Sequence, residues 1–418
     1  MSAARPVDSI TTELRTIADL PRFDGFDRHD FGADFDWIAD DLFRREYQGL
    51  LQHETHGVIV YRNDDLWALG THPQVSHHSE LSGVWDESVV AHQRFMAAST
   101  FSMQPPVHQP GKSIISKRLA SVSMKRYMNF AADVVEELIR DSLQRDKTDF
   151  VHDFIKPLLA RLWCHVLGLS SGEAARITEL MNDFFRPFLL EPTEEDLAVA
   201  NDASEEFVDL ITDALTREMS NGRHAILNEL ARDYAEMGEV GRPKNICTHF
   251  GVALPDGFNT LGSMTANTLY TLLSNSAALA QVKADPDLVP EAWLEGQRLN
   301  PVVVATQRET LADIQHGGVV LPKGTQLSML WAFGNRDPEV FEDPNAYQLH
   351  RASRGKQTTF GGGFYACPGR PSARLLGEVV LRALTAPGID VTVLDGFVWA
   401  TRSLAHEPEH MTLAIRNV

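Results

Sequence analysis

Along much of the chain, apolar residues recur at the three- and four-residue spacing of an amphipathic helix. In AADVVEELIRDSLQ, Val134, Val135, Leu138 and Ile139 share a face, and Ile155, Leu158, Leu159 and Leu162 do so in the next segment. This is the pattern of helices buried along one stripe, and it predicts a helical core over about 130–300. Short β-branched runs between turn residues predict strands around 57–70 (GVIVYRNDDLWALG), 317–330 (GGVVLPKGTQLSML) and 398–415 (VWATRSLAHEPEHMTLAI). Length alone would allow about three domains, yet no linker, charge block or repeat marks a boundary. The expectation is a mainly α fold with small β-sheets, one domain over residues 1–418. The helical pattern stops at a glycine-rich loop, FGGGFYACPG (360–369), and resumes in SARLLGEVVLRAL.

Composition narrows the function. With 43% hydrophobic and 23% charged residues the chain can bury a core. Its 38 Lys and Arg against 57 Asp and Glu give a net charge of −19, the wrong sign for a broad phosphate-binding face, so no nucleic-acid partner is expected. The opening MSAARPVDSITTELRTIADL has no continuous apolar stretch, so neither a signal peptide nor a membrane anchor is expected, and the location expected is cytoplasmic. Cys164, Cys247 and Cys367 are too few and too scattered for a disulfide framework or structural zinc.

Gly361, Gly362, Gly363 and Gly369 surround Cys367. Glycine lets backbone pass close to a bulky object or adopt positive φ. Pro368 and Pro371 accompany a helix restart, which would set the thiol near a helix N-terminus that favours thiolate, a metal ligand. A tight turn around an inert cysteine is the other reading, and the loop alone leaves both open.

FGGGFYACPG resembles the Phe-Gly-x-Gly-x-x-x-Cys-x-Gly signature of the cytochrome P450 superfamily, the haem-thiolate monooxygenases. EGQRLNP, with Glu295 and Arg298 on one helix face, resembles that family's Glu-x-x-Arg helix. FGNRDPEVFEDPNAYQLHR (333–351) and GRPSARLLGEVVL resemble its meander and its following helix, so the likeness runs over about 295–384. The resemblance implies haem b as cofactor, with Cys367 as its metal ligand, Phe360 shielding the sulfur, and Gly369 closing the signature. Tyr365 stands where many bacterial members carry a propionate-contacting histidine, and its phenol can donate the same bond. PPVHQPGK resembles Pro-x-His-x-x-x-Arg, which assigns His108 and Lys112 to the propionates; Lys112 replaces the usual arginine, and Pro110 and Gly111 are expected to make the helical start irregular. Arg308, just before a predicted strand, falls at the other propionate-binding position.

Within 245–275, DGFNT resembles the family's oxygen-activation motif. Gly257 and Thr260 match it. Asn259 replaces the usual acid and cannot change protonation state, while Asp256 takes a small residue's place beside the sixth coordination site. Asp256 either turns outward or caps a kink at Pro255, or it delivers protons or holds a substrate. Thr260 is expected to organise oxygen and water. The resemblance builds the pocket for a small, hydrophobic or mixed-polarity organic substrate from segments that supply Trp85, Phe95, Met96, Phe101, Met103, Val252, Val303 and Val304. Arg354, Lys356, Arg370 and Arg374 cluster around the cysteine loop, a face suited to an acidic ferredoxin that works with a ferredoxin reductase. The function implied is a monooxygenase that inserts one atom of O₂. Peroxide-driven or non-hydroxylating haem-thiolate chemistry, or a haem-containing binder, remain alternatives.

Overall fold

A computed structural model of the chain describes residues 14–27, 30, 32–45, 49–77, 91–93, 108–188, 192–221, 225–237, 253–401 and 405–418. In chain order the first elements are α1 (Phe35–Arg44), β1 (Leu51–His53), β2 (Gly57–Val60), α2 (Asn63–Gly70), β3 (Val75–His77), α3 (His108–Leu119), α4 (Val122–Ser142) and β4 (Thr148–Asp149). A π-turn (Phe150–Ile155) leads into α5 (Lys156–Leu167), followed by α6 (Ala174–Phe184), α7 (Glu194–Asn221), α8 (Ala225–Glu236), α9 (Ala253–Leu273), α10 (Ser276–Ala284) and α11 (Val289–Leu299). Then come β5 (Thr306–Thr310), β6 (Ile314–His316), β7 (Val319–Leu321), β8 (Gln326–Met329), α12 (Trp331–Gly334), α13 (Arg370–Leu384), β9 (Ile389–Val393), β10 (Val398–Trp399), β11 (Pro408–His410) and β12 (Thr412–Asn417).

The largest core lies among the helices. Ser121 accepts the Met124 N–H and starts α4, whose buried stripe includes Tyr127, Ala131, Val134 and Leu138. Gly168, in the left-handed region at φ 71°, ends α5 by donating its N–H to the Cys164 carbonyl. α9 runs through this core beside α5, α11 and α13. The main sheet has the order β1-β2-β8-β5-β3, with β2 and β8 parallel and β3 antiparallel to β5, so that His77 lies opposite Arg308.

The expected mainly α architecture with small sheets is what the chain adopts, with local differences. The segment 57–70 is strand only as far as Val60; Asn63–Gly70 is helix. Leu66 and Leu69 are buried one turn apart, acids occupy the first turn, and the Asp337 carboxylate, from far along the chain, accepts the Asn63 N–H at 3.0 Å. Arg308 sits inside β5 rather than ahead of a strand. α3 is helical through Pro110 and Gly111, since proline in a first turn removes an N–H that needs no helical partner. Val304, expected in the pocket lining, packs into a core. It is fully buried with Phe23, Phe35, Ala332 and Phe333 in a separate apolar core, where an apolar residue of a closely packed strand entry is held by area burial. Among the described residues no helix is long and apolar enough to cross a membrane.

Glu295 and Arg298 form a bidentate pair at 2.8 and 2.9 Å with side chains 3% and 0% exposed. Arg351 Nε donates to the same carboxylate at 3.1 Å, and Arg298 also donates to the carbonyls of Asn335, Pro344 and Ala346. The cluster thereby ties α11 to the meander that carries the chain to the cysteine loop. Removing one partner of a buried pair leaves an uncompensated charge, which costs about 3–5 kcal/mol. Glu295→Gln is therefore expected to lower stability by about that amount in urea unfolding. A loss below about 1 kcal/mol would mean the pair behaves like an exposed one.

Candidate active site

The cysteine loop is positioned by backbone bonds and by α2. The Cys367 N–H donates to the Phe360 carbonyl at 2.8 Å, and Gly361 N–H to the Thr358 carbonyl at 2.8 Å. Gly363 has φ +65°, and a Cβ there would lie 2.6 Å from the Gly70 carbonyl oxygen; a Cβ on Gly362 would lie 2.7 Å from the Trp67 ring. The bulky object these glycines accommodate is thus the end of α2. Asn335 accepts the Thr358 N–H at 2.8 Å and donates to Thr359 Oγ1 at 2.8 Å, which extends the Arg298 network to the loop. Phe360 stacks on Trp293 with ring centroids 5.9 Å apart, and the Arg370 guanidinium lies 5.7 Å from its centroid. Cys367 is exposed, three residues ahead of the first residue of α13, with Gly369 at that helix's N-cap and Pro371 in its first turn. Cys164 is the contrast: it is buried, and burial pushes its thiol up to about 12. Cys247 lies outside the described residues.

Tyr365 gathers residues from distant elements. Its hydroxyl lies 2.8 Å from Ser76 Oγ. Its ring centroid is 4.1 Å from that of His77 on β3 and 4.5 Å from that of His108 on α3, with the Arg308 guanidinium of β5 5.2 Å away. Lys112, one turn along α3 from His108, donates to the Phe364 carbonyl at 2.5 Å. These basic groups repel protons from one another. Burial, then Arg308, His108 and Lys112, hold His77 far below the usual imidazole range. Burial and the same cations bring His108 down to about 4, and burial brings Arg308 to about 10. Burial, with Arg308 and against the pull of Cys367, brings Lys112 to about 8.

His108 Nε2 and Arg308 Nε are buried with no hydrogen-bond partner. Among the described residues no carboxylate ion-pairs with Arg308, Lys112 or His108. Uncompensated buried cations and orphaned donors are each costly, so the cluster is complementary to an anion with several acceptor oxygens. Sequence reasoning reached Tyr365, His108, Lys112 and Arg308 but missed His77 and Ser76. The signal for them, SHH before a polar run, acquires meaning only through the pairing of β3 with β5.

On α9, Thr260 is half-buried. Asn259, about 100° away around the helix, lines a cavity of about 280 Å³ bounded by the π-turn, α5 and β11. Ser263, one turn beyond Asn259 on that face, donates to Glu407 at 3.0 Å. Val303 is half-buried and bridges Ala405. The Asp256 side chain and Trp85, Phe95, Met96, Phe101, Met103 and Val252 lie outside the described residues, as does the carbonyl facing Pro255. Arg354, Lys356, Arg370 and Arg374 are exposed. Two of them are already paired, Arg354 with Glu291 at 3.5 Å and Arg374 with Glu378 at 2.6 Å.

A family profile described as Cytochrome P450 matches residues 288–384. Cytochrome P450 105A3 of Streptomyces carbophilus is 31% identical over 291 residues, which cover 68% of this chain and 67% of that protein. The 6-deoxyerythronolide B hydroxylase of Saccharopolyspora erythraea is 25% identical over 328 residues, 77% of this chain and 79% of its own. The crystal structure of CalO2 superposes with a TM-score of 0.81 over 92% of this chain and 96% of that one at 21% identity, so the fold is shared well beyond the profile match. The chain belongs to the cytochrome P450 family. It is a monooxygenase with haem b as cofactor, working with O₂, an organic substrate and redox-partner electron donors.

The residues present fit that cofactor. An exposed cysteine at a helix N-terminus suits a soft metal ligand, and the buried Arg308 and Lys112 beside Tyr365, with the unsatisfied His108 Nε2, suit its two carboxylates. An anion seated beside Lys112 would raise its pKa from about 8, so haem uptake there would bind a proton. Haem affinity is expected to fall as pH rises above about 8, because the cation must then be regained on binding. Lys112→Met should flatten the profile in haem-transfer measurements, and an unaltered profile would remove Lys112 from the site.

Proposed function

We propose that Cys367 Sγ ligates the haem iron and that Arg308, His108, Lys112 and His77 receive the propionates. The observation that carries this is the pair of buried cations Arg308 and Lys112, ion-paired to no carboxylate among the described residues, with the unsatisfied His108 Nε2 beside them, against the loop of the exposed cysteine. The α13 N-terminus favours the anionic form of the sulfur, the Cys367 N–H is committed to the Phe360 carbonyl, and Phe360 itself is fixed between Trp293 and Arg370. The Tyr365 hydroxyl, held by Ser76, keeps its ring among the basic groups, acting as a spacer with a polar tip. When bound, the haem supplies dioxygen activation assisted by thiolate donation.

Around that chemistry the chain orients substrate and moves protons. Thr260 Oγ1 both donates and accepts, which suits it to hold water and pass a proton on the cofactor side of α9. Asn259 donates and accepts without titrating, so proton exchange with solvent falls to a nearby carboxylate. Asp256 on α9 and Glu407, bonded to Ser263 on the Asn259 face, are the candidates. Thr260→Ala is expected to lower product formed per electron consumed. Asp256→Asn and Glu407→Gln separate the two acids: the one in use loses coupled turnover on substitution, and unchanged coupling in both would refute a carboxylate relay.

The reaction proposed is insertion of one oxygen atom into a small hydrophobic or mixed-polarity molecule, hydroxylation or epoxidation of a secondary-metabolism or catabolic substrate. Support comes from relatives such as the 6-deoxyerythronolide B hydroxylase. Electrons come from a ferredoxin and its reductase, docking where Lys356 and Arg370 are exposed beside the loop. With ferredoxin, reductase and ¹⁸O₂, the product is expected to gain a single ¹⁸O atom, and the reduction rate to fall as salt rises. Product formed from peroxide alone, without electrons, would overturn the electron-fed reading, and salt-independent reduction would overturn the docking face.

A further inference from the structure

Away from the haem site, Asp149, His152 and His410 bring a carboxylate oxygen and two imidazole nitrogens within 4.8 Å of one another. Backbone pairing fixes the spacing. Asp149 lies opposite Thr412 in the β4–β12 ladder, and the Phe150 N–H donates to the Met411 carbonyl at 2.8 Å, so the residues beside Asp149 and His410 are held in register. Asp149 Oδ1 accepts the N–H groups of Val151 and His152 at 3.0 and 3.3 Å. That orients Oδ2 toward His152 Nδ1 at 3.2 Å and His410 Nδ1 at 2.6 Å. The two rings stack, with centroids 4.8 Å apart and planes 27° from parallel. Both histidines are exposed, so an ion can reach them.

We propose that Asp149, His152 and His410 form a divalent transition-metal site of the zinc class, with water completing the coordination. Two imidazoles and one carboxylate suit zinc and its neighbours, whereas magnesium and calcium prefer all-oxygen shells. The donor atoms are gathered in advance, because the backbone holds the carboxylate and both Nδ1 atoms lie against its Oδ2, where an ion replaces the hydrogen-bonding protons. An ion here joins the π-turn at the start of α5 to β11, on the rim of the cavity that His152 and Glu409 share with Asn259 and Ser263. It clamps the C-terminal hairpin whose Glu407 meets α9.

The test uses the haem-loaded protein, stripped with chelator and titrated with zinc chloride by calorimetry, with magnesium as control. The expected result is one zinc per chain, a zinc-dependent rise in thermal midpoint and no magnesium binding. His152→Ala and His410→Ala should each weaken zinc at least about tenfold while leaving the zinc-free midpoint near that of the parent, which shows that the variants fold. The proposal is overturned if the parent binds no zinc, or if either variant binds it as the parent does.

Discussion

The structure depends on the charge of Glu295 being shared between Arg298 and Arg351 where almost no water reaches. Buried ion pairs stabilise little by themselves, because desolvation cancels most of the attraction. This one works through geometry. The guanidinium groups spread onto carbonyls of the meander, at Asn335, Pro344 and Ala346 from Arg298 and at Glu342 from Arg351. A stretch that is largely outside helix and strand, held locally by turns, thereby gains fixed partners. Asn335 and Asp337, in that same stretch, then hold Thr358 ahead of the cysteine loop and the N-terminus of α2.

α2 in turn explains the loop's composition. Its last turn presses Trp67, Gly70 and Thr71 against Gly362 and Gly363, leaving no space for a side chain. The loop's path sets the carbonyl of Phe364, which Lys112 meets, and the ring of Tyr365 against the cluster formed by β3, β5 and α3, with Cys367 two residues beyond that ring. Thiol and cations are thus placed together by elements that begin far apart in the chain. The charge imbalance they create is local: the chain as a whole carries −19, yet here basic groups accumulate with no ion-paired acid among the described residues. The haem carboxylates of a cytochrome P450 are the natural counterpart.

Much of this was legible in the residues. Helical periodicity located α4, α5 and α13, and the cysteine loop with Glu295, Arg298 and Arg308 stood out by order and spacing. What escaped depended on tertiary pairing. His77 and Ser76 matter because β3 pairs with β5, which no local pattern announces. NDDLWALG carries β-friendly neighbours but folds as α2 because Asp337 caps it from the meander. Val304 is apolar by sequence, and its burial in one cluster with Phe35 and Phe333 shows only in the packing. Arg351 ended a motif by resemblance, with nothing to mark it as the third member of the buried cluster.

The central claim is that Cys367 binds the haem iron as thiolate. The optical spectrum of the dithionite-reduced, CO-bound protein tests it most directly, compared with that of Cys367→Ala. The account predicts a strongly red-shifted Soret band in the parent that is absent from the variant. An ordinary, unshifted CO band in the freshly purified parent, or the same red-shifted band in both proteins, would contradict it.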